Sequence, residues 1–412
     1  MARIIPFAGI RPSVDKVSKI AALPYDVYNR EEAKEVVSKN PDSFLAIDRA
    51  ETSFPDDVDT YDERVYKKAH DMLWDRINKG DFVKDDKKVY YIYELTMDGR
   101  AQTGIVACAS IDDYINNVIK KHENTRADKE VDRINHVKTC EAQTGPIFLA
   151  YRADKDINAV VAKIKATAAL YDFTSEDGIT HRAWIIDNDN DIKTIEDAFA
   201  KMNSIYIADG HHRCASACKV GLLKREENPN YTGEEEFNFF LSVLFPDEEL
   251  MIMDYNRVVK DLNGLSSADF KEKIENVFNV VKTSATAIKP EKKGQVAMYL
   301  EKEWTLLEIK DEYKTSDPVK GLDVSLLQDN ILDPVLGIKD PKTDKRIDFV
   351  GGTRGLGELE RRCAKDCVLA FAMYPTSIGE LFSVADAGLL MPPKSTWFEP
   401  KLRSGIFIHA IN

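Results

Sequence analysis

Apolar residues along the chain recur at spacings that alternate between those of helices and those of strands. Apolar positions four residues apart from Tyr61 to Ile77, closed by Gly80, predict a helix over residues 59–79. Residues 88–95 and 103–111 are rich in Val, Ile and Tyr on either side of a Met-Asp-Gly-Arg turn, which predicts a β-hairpin. The fold class indicated is mixed α/β. The remaining predicted helices are 30–39, 156–169, 267–278 and 378–387, and the remaining predicted strands are 44–47, 146–151, 181–186, 239–245, 297–299, 368–374 and 406–411.

The middle of the chain carries a strand that leads directly into a polar turn. Residues 204–208 form an apolar run that passes into Asp209-Gly210-His211-His212-Arg213, named the DGHHR turn below. Residues 214–223 are helix-forming up to a break expected near Gly221. The sequence therefore predicts that the DGHHR turn joins a strand to a helix.

The length of the chain bears on its division into lobes. With 412 residues the chain exceeds the usual size of one hydrophobic core, which favours two or three lobes. The polar and acidic segment 226–236, which contains Pro229 and Gly233, is the best candidate for a boundary. We expect an N-terminal α/β lobe over residues 1–225 and a C-terminal α/β lobe over residues 237–412.

Composition and charge narrow the class of protein. Hydrophobic residues make up 43% of the chain and charged residues 31%, which is typical of a globular protein. A net charge of −13 disfavours nucleic acid as a partner, because nucleic-acid binding depends on Lys and Arg that face phosphates. No stretch approaches the roughly 20 apolar residues that span a bilayer, so we expect no membrane association and a cytoplasmic location. The six cysteines are too sparse for a disulfide scaffold and are expected to be free thiols. The oligomeric state is not indicated.

The DGHHR turn combines the features of an anion site. The first turn of a helix has unpaired backbone N–H groups and the positive end of the helix dipole. Gly210 lets the backbone turn sharply and approach a ligand, and the guanidinium of Arg213 can meet a phosphate with two parallel hydrogen bonds. Two adjacent histidines and the preceding Asp209 favour this function over the alternative, which is a capped helix end exposed to solvent.

Three segments share a pattern with a known superfamily. They are the strand with the DGHHR turn, the upstream Lys121-His122-Glu123, and Pro393-Lys394-Ser395-Thr396 near the C-terminus. These segments resemble the ParB/sulfiredoxin-like superfamily and, within it, most closely the free serine kinases. The resemblance implies a ParB/sulfiredoxin-like core with mixed sheets and an additional C-terminal α/β lobe. It also implies ADP or ATP as the phosphoryl donor, commonly with Mg²⁺, and a small hydroxylated amino acid as the acceptor, with L-serine favoured.

Individual residues receive roles from this resemblance and from the chemistry of phosphoryl transfer. A hydroxyl group has too high a pKa to attack a phosphoryl group unaided, so a nearby carboxylate serves as general base. Glu123 is the candidate base, and the alternative for it is a surface carboxylate in a charged loop. Asp209 and His212 are also expected to be catalytic, with Asp209 holding the metal or orienting a histidine. His122 and Thr125 are expected to contact the acceptor. The expected nucleotide-binding residues are Gly210, His211, His212, Arg213, Lys394, Ser395 and Thr396.

The chain as a whole resembles an uncharacterised prokaryotic family known as a domain of unknown function, of the DUF1015 type. Its marks are Pro24-Tyr25-Asp26-Val27 and residues 391–409. The first hundred or so residues have no counterpart in the compact serine kinases.

Two other functions compete with the kinase. A ParB-like regulatory module would need the nucleotide grip but not Glu123. A sulfiredoxin-type reductase would need a cysteine in the turn ahead of the His-Arg pair, whereas Cys214 follows Arg213. The Gly-rich segment 351–357 lacks the order of residues found in nucleotide loops and is expected to be a flexible turn.

Overall fold

The structure, a computed structural model, describes residues 1–125 and 127–412 and, within them, every side chain except that of Asp128. Contacts between residues separate the chain into two compact units, which are described in turn. Unit 1 consists of Met1–Leu250 together with Pro400–Asn412, and unit 2 consists of Met251–Glu399.

Strands and helices alternate along unit 1. Its strands are β1 (Ile4–Ile5), β2 (Ile10–Pro12), β3 (Phe82–Lys84), β4 (Tyr90–Met97), β5 (Arg100–Ser110), β6 (Ile119–Lys120), β7 (Ala142–Gln143), β8 (Ile147–Tyr151), β9 (Tyr171–Thr174), β10 (Thr180–Ile186), β11 (Ile205–Asp209), β12 (Phe239–Pro246) and, from the end of the chain, β21 (His409–Ala410). Its helices are α1 (Val17–Ile20), α2 (Arg30–Lys39), α3 (Leu45–Asp48), α4 (Glu63–Asn78), α5 (Ile111–Ile115), α6 (Ala127–Cys140), α7 (Lys155–Lys165), α8 (Asp189–Phe199) and α9 (His211–Glu227).

One mixed sheet forms the centre of unit 1. Its strands lie in the order β6-β11-β8-β12-β5-β4-β10-β9, and β1 pairs with β5 outside this path. The pairs β6 with β11 and β8 with β12 are parallel, and the other pairs are antiparallel. β12 is buried along its whole length, so both of its faces are covered, as is typical of a central strand with a continuous apolar run. The predicted mixed α/β class is confirmed.

Several local predictions are confirmed because their signals lie close together in the sequence. The predicted hairpin is formed by β4 and β5, which pair from Tyr91 with Val106 to Met97 with Arg100. Helix α2 has the predicted bounds, since Asn29 accepts a hydrogen bond from the backbone of Glu32 and the side chain of Glu32 accepts one from the backbone of Asn29.

Three local predictions are wrong. Residues 44–47, predicted as a strand, contribute to helix α3, because a short apolar run that is buried throughout shows no periodicity to separate a strand from a helical turn. Helix α9 runs through Gly221 to Glu227 instead of breaking there. Gly221 allows close packing, since a Cβ at this position would lie 2.5 Å from the carbonyl oxygen of Phe237. Of the strand predicted over 406–411, only the two residues of β21 form a strand, and Ile408 forms an isolated antiparallel bridge to Ile10.

The strands of unit 2 are β13 (Ile252–Met253), β14 (Tyr255–Val259), β15 (Phe278–Ser284), β16 (Gln295–Leu300), β17 (Glu303–Ile309), β18 (Ile347–Gly351), β19 (Leu369–Met373) and β20 (Trp397–Phe398), and its helices are α10 (Ser267–Val277), α11 (Asp323–Leu327), α12 (Leu356–Lys365) and α13 (Ile378–Asp386). Six of these strands form an antiparallel sheet with the order β15-β17-β16-β19-β14-β18. The Gly-rich segment 351–357 begins at the last residue of β18, forms a 3₁₀ turn at Gly352–Arg354 and ends in the first residues of α12.

The compact units extend differently from the predicted lobes 1–225 and 237–412. Strand β12 pairs with β5 and β8 inside unit 1, and the residues from Pro400 onward also belong to unit 1. A division into lobes that fold independently stays a prediction. Within the two described stretches of chain, none of the helices has both the length and the apolar character that a membrane span requires.

Candidate functional site

The DGHHR turn and the loop that carries Glu123 lie at the same edge of the sheet of unit 1. Strands β6 and β11 are parallel neighbours, with Ile119 opposite Ile205 and Lys120 opposite Tyr206. Because parallel strands end at the same sheet edge, the segments that follow them leave side by side. β11 ends at Asp209 and α9 begins at His211, so the predicted strand-to-helix turn is confirmed.

Two histidines join these segments directly. The backbone nitrogen of His122 lies 3.5 Å from Nε2 of His211, and it donates a long hydrogen bond. The two imidazole rings meet edge to face, with their centres 4.5 Å apart. Both side chains are buried. The loop after β6 is therefore packed against the first residue of α9.

Burial keeps both of these histidines neutral at pH 7. It lowers the pKa of His122 to about 4. Burial, followed by the neighbouring His122, also holds the pKa of His211 well below its ordinary value. Neither ring nitrogen of His122 has a hydrogen-bond partner among the residues that the structure describes. His211, expected to bind nucleotide, thus contributes a neutral ring to the site.

Gly210 adopts a backbone conformation that favours glycine. Its φ is 92° and its ψ is 32°, in the left-handed region, and it is the N-cap of α9. A Cβ atom here would lie 3.0 Å from Nη2 of Arg213, because the guanidinium folds back over the turn. The backbone N–H groups of the first helical turn have no partners within the helix itself, so they are suited to bind an anion.

Arg213 is directed into the protein. Its Nη1 donates a hydrogen bond of 2.5 Å to the carbonyl oxygen of Pro146, and the residue lines a cavity together with Gly145 and Ser404. His211 packs instead against the loop after β6. The guanidinium and the His211 imidazole therefore contact different segments of unit 1.

Asp209 is paired with a lysine that the sequence reasoning missed. Nζ of Lys401 lies 3.2 Å from Oδ2 of Asp209, and Oδ1 accepts a hydrogen bond of 2.8 Å from the backbone of Gly210. Burial alone would raise the pKa of Asp209, but Lys401 and then Arg213 outweigh it and hold this pKa well below its ordinary value. Lys401 follows Asp209 by 192 residues, and no local pattern links the two.

The described side chains of unit 1 and unit 2 include no ready-made magnesium site. Outside Arg126 and the side chain of Asp128, no group of three or more His, Cys, Asp or Glu side chains is arranged to hold a metal ion. Both carboxylate oxygens of Asp209, the predicted ligand, are engaged by Gly210 and Lys401. Mg²⁺ often binds through one carboxylate together with the phosphates of its substrate. A magnesium ion would therefore have to enter with the nucleotide.

The remaining predicted residues of unit 1 lie in the loop after β6 and in the first turn of α9. Glu123 is partly buried and directly follows His122, whose backbone contacts His211. Thr125 donates a hydrogen bond of 2.8 Å from Oγ1 to Oε2 of Glu130, at the beginning of α6. His212 is partly buried, and its carbonyl oxygen accepts a hydrogen bond from Ser216. Their roles stay predictions.

Lys394, Ser395 and Thr396 belong to unit 2. Lys394 has a φ of 61°, and its carbonyl oxygen accepts a hydrogen bond of 3.1 Å from Arg257. Its ammonium lies 5.5 Å from the ring centre of Tyr255. Ser395 is buried and donates from Oγ to the carbonyl oxygen of Pro392. The role of these three residues in nucleotide binding stays a prediction.

The thiols agree with the sequence prediction. All six cysteines are free, and all except the partly buried Cys363 are buried. Burial raises the pKa of Cys214 well above its ordinary value, so the thiol beside Arg213 is protonated at pH 7. This disfavours the sulfiredoxin-type reductase.

Several solved structures are similar to the chain at low identity. A variant of a free serine kinase in complex with AMP is 14% identical, with a TM-score of 0.35, and the match covers 72% of this chain and 87% of that chain. A C-terminally truncated SbnI from Staphylococcus aureus is 9% identical, with a TM-score of 0.36, and the match covers 71% and 82% of the two chains. A conserved hypothetical protein from Pyrococcus furiosus is 16% identical, with a TM-score of 0.31 and coverage of 73% and 93%.

Comparison with curated proteins finds no significant match. The sequence does match a protein family over residues 4–325, which is more than three quarters of its length. The chain belongs to the family described as Protein of unknown function (DUF1015).

Proposed function

We propose that the chain is a phosphotransferase that moves a phosphoryl group from ADP or ATP to the hydroxyl of a small amino acid, with L-serine as the favoured acceptor. One observation carries the proposal. The parallel strands β6 and β11 end side by side, so that the loop with Glu123 packs against the glycine-led start of α9. A candidate base and a candidate phosphate site are thereby close together.

The phosphate site rests on Gly210 and Arg213. The left-handed backbone of Gly210 turns the chain into α9, whose first amides and helix dipole favour an anion. The guanidinium of Arg213 lies directly over this turn. Its positive charge can meet the charge that develops on the equatorial oxygens of the transferred phosphoryl group.

The base proposed for the acceptor hydroxyl is Glu123. Its neighbour His122 is buried and neutral, and the backbone of His122 is fixed by its contact with His211. A general base acts on the acceptor hydroxyl only as its oxygen bonds to phosphorus, and it takes up the proton of that hydroxyl. His212 would supply a further donor to the phosphate. Lys394, Ser395 and Thr396 belong to unit 2, and their part in nucleotide binding stays a prediction. Mg²⁺ would enter with the nucleotide and supply positive charge around its phosphates.

A second function is a nucleotide-binding regulatory switch without catalysis. The pair of Asp209 and Lys401 favours this alternative. A phosphate bound at the start of α9 would compete for the ammonium of Lys401, and so would change a contact that spans 192 residues. Such a switch needs the phosphate site but not Glu123.

The experiment that tests the proposal is a phosphate-transfer screen. The purified protein is incubated with ADP or ATP and each free amino acid, with Mg²⁺ or with a chelator, and the products are identified by mass. We expect a phosphorylated amino acid, with serine the best acceptor. A protein that binds nucleotide but phosphorylates none of the amino acids would contradict the kinase and support the switch.

A further inference from the structure

Two adjoining cavities lie beside the DGHHR turn in unit 1. Both are lined by Tyr25, Asp48, Arg133 and His136, and the first one also by Arg213. Their empty space, counted together with the open solvent at their mouths, is about 480 and 560 Å³. Tyr25 and Asp48 come from the first hundred residues, to which the proposed function assigns no role.

The cavities concentrate buried ions. The side chains of Asp48, Glu51, Asp132 and Arg133 are all less than 10% exposed. Taking a charge out of water costs several kcal/mol, and apolar residues in the place of a buried ion pair are often neutral or stabilising. Stability alone therefore gives little reason to gather so many charges around open space. Buried ionic groups in a cleft are instead typical of a functional site.

One carboxylate and one guanidinium in the cavities each keep an atom without a hydrogen-bond partner among the described residues. Glu51 is paired with Arg49 at 2.5 Å, and Asp132 accepts from Arg133 at 2.9 Å. Asp48, in contrast, accepts a single hydrogen bond of 2.9 Å, from Thr144 to its Oδ1. Among the described residues, Oδ2 of Asp48 and Nη1 of Arg133 have no hydrogen-bond partner. A carboxylate oxygen and a guanidinium nitrogen thus remain available in the same cavity.

Aromatic packing fixes the guanidinium of Arg133. Its Cζ atom lies 3.9 Å from the ring centre of Tyr25. Tyr25 belongs to the Pro-Tyr-Asp-Val segment singled out in the sequence, and Arg49 holds that segment by donating to the carbonyl oxygens of Tyr25 and Tyr28. The segment therefore builds one wall of the cavity and sets the direction of Arg133.

A three-residue segment connects the cavity with the phosphate site. Thr144 donates to Asp48, a Cβ on Gly145 would lie 3.6 Å from Nη1 of Arg213, and the carbonyl of Pro146 accepts from Arg213. The carboxylate of Asp48 and the guanidinium of Arg213 are thereby held by neighbouring residues of one segment. A small ligand bound to Asp48 would have its far end near Arg213.

We propose that these cavities bind a free amino acid as a zwitterion, with its ammonium against Asp48, its carboxylate against Arg133 and its side chain directed to Arg213. The direction of the side chain rests on the proposed function, because it places a hydroxyl where the phosphoryl group would arrive. The binding of the two charged groups rests on the cavity alone. The N-terminal residues that the compact serine kinases lack would then supply the acceptor site.

The wild-type protein provides the first test. Binding of L-serine is measured by titration calorimetry beside two analogues, 3-hydroxypropanoate, which lacks the ammonium, and ethanolamine, which lacks the carboxylate. Each analogue leaves one buried charge without its partner, so we expect each to bind at least about tenfold more weakly than serine. Equal affinity for serine and either analogue would overturn the proposal.

Two variants assign the charged groups to residues. Asp48→Asn keeps the shape of the side chain and should bind serine at least about tenfold more weakly, without preferring it over 3-hydroxypropanoate. Arg133→Lys keeps the charge but loses the planar fork, and it should lose the preference for serine over ethanolamine. The control is Asp98→Asn, which removes an exposed carboxylate at a turn whose φ of 52° suits Asn. Thermal unfolding of each variant shows that it is folded.

The outcomes separate this proposal from the proposed function. If the protein phosphorylates serine and both variants keep the wild-type KM for serine, the cavity is not the acceptor site and the kinase stands. If serine binds and Asp48→Asn abolishes binding, but no amino acid is ever phosphorylated, the kinase fails and the amino-acid site stands. If the wild type binds no free amino acid with or without ADP, the cavity proposal is overturned.

Discussion

The backbone nitrogen of His122 lies 3.5 Å from Nε2 of His211, although 89 residues separate the two in the chain. The contact follows from the parallel pairing of β6 with β11, which brings the ends of the two strands to one edge of the sheet. An acceptor role for Nε2 requires an imidazole without a proton on that atom, and the lowered pKa of His211 agrees with this. The candidate base and the DGHHR turn are thus linked through a neutral histidine pair.

Replacement of Glu123 by Gln should remove phosphate transfer and leave nucleotide affinity nearly unchanged. A general base acts only as the transition state forms, so its loss should lower kcat by roughly 10²–10⁴. The matched control is Glu226→Gln, an exposed glutamate near the end of α9. Turnover is measured with serine and nucleotide affinity by calorimetry. Full activity in Glu123→Gln would mean that the base is another residue.

Replacement of Arg213 by Ala should weaken the binding of nucleotide itself. The guanidinium lies over Gly210 and meets charge that the bound nucleotide already carries. The loss of a charge-assisted hydrogen bond to phosphate should lower the affinity by about 1.5–3 kcal/mol. Calorimetry with ADP and ATP measures this loss, and Arg213→Lys should recover part of it because the charge remains. Unchanged affinity in Arg213→Ala would place the phosphate elsewhere.

Replacement of Gly210 by Ala should weaken nucleotide binding, whereas the same replacement at another glycine with a positive φ should not. Gly210 and Gly80 have φ values of 92° and 82°, so Ala at either position should lower the free energy of unfolding by roughly 1–2 kcal/mol. Only at Gly210 would the new Cβ meet Arg213, since nothing lies within 4 Å of a Cβ at Gly80. We expect nucleotide affinity to fall in Gly210→Ala alone. Equal affinities in the two variants would show that the position of Arg213 is unimportant.

The stability of the fold should fall as the pH decreases from about 6.5 to about 4. Burial lowers the pKa of His122 to about 4, whereas an unfolded histidine titrates near 6.5. In this window the unfolded chain binds a proton that the folded chain does not, so the free energy of unfolding decreases as the pH falls. The contribution of His122 is on the order of 3 kcal/mol at the lower end.

The variant His122→Phe should remove this part of the pH dependence. Buried His136 and His181, with pKa values lowered to about 4 and about 3 by burial, keep their own contributions of the same sign. Urea unfolding at several pH values measures the slope, with the half-buried His70→Phe as the control. An identical slope in the wild type and in His122→Phe would show that His122 has the same pKa in the folded and the unfolded chain.

The sequence predicted most of the helices, strands and turns whose determining residues lie within a few positions of one another. The helical stripe of α4, the turn between β4 and β5 and the capping residues of α2 each lie within a few positions of one another in the sequence. The strand-to-helix turn at Gly210 was predictable for the same reason. The apolar run at 44–47 was not, because burial on all sides removes the periodicity on which such a prediction depends.

The site was predictable only where its residues are adjacent in the chain. Asp209 to Arg213 form one segment, and the order of residue types within that segment is enough to indicate an anion site. Lys401 and the ions around Asp48 were missed, since their relation to the turn depends on pairings between distant segments. No pattern in one sequence indicates that Thr144 would bond to Asp48 across 96 positions.

The pairing of Asp209 with Lys401 sets an order of assembly during translation. The ribosome synthesises Asp209 192 residues before Lys401. At about 5–20 residues per second, this corresponds to an interval of roughly 10–40 s. All of unit 2 is synthesised within that interval. A nascent chain can therefore form β11 and α9 while the carboxylate beside them lacks its cation. We expect a nascent chain to bind nucleotide only after residue 401 has been synthesised.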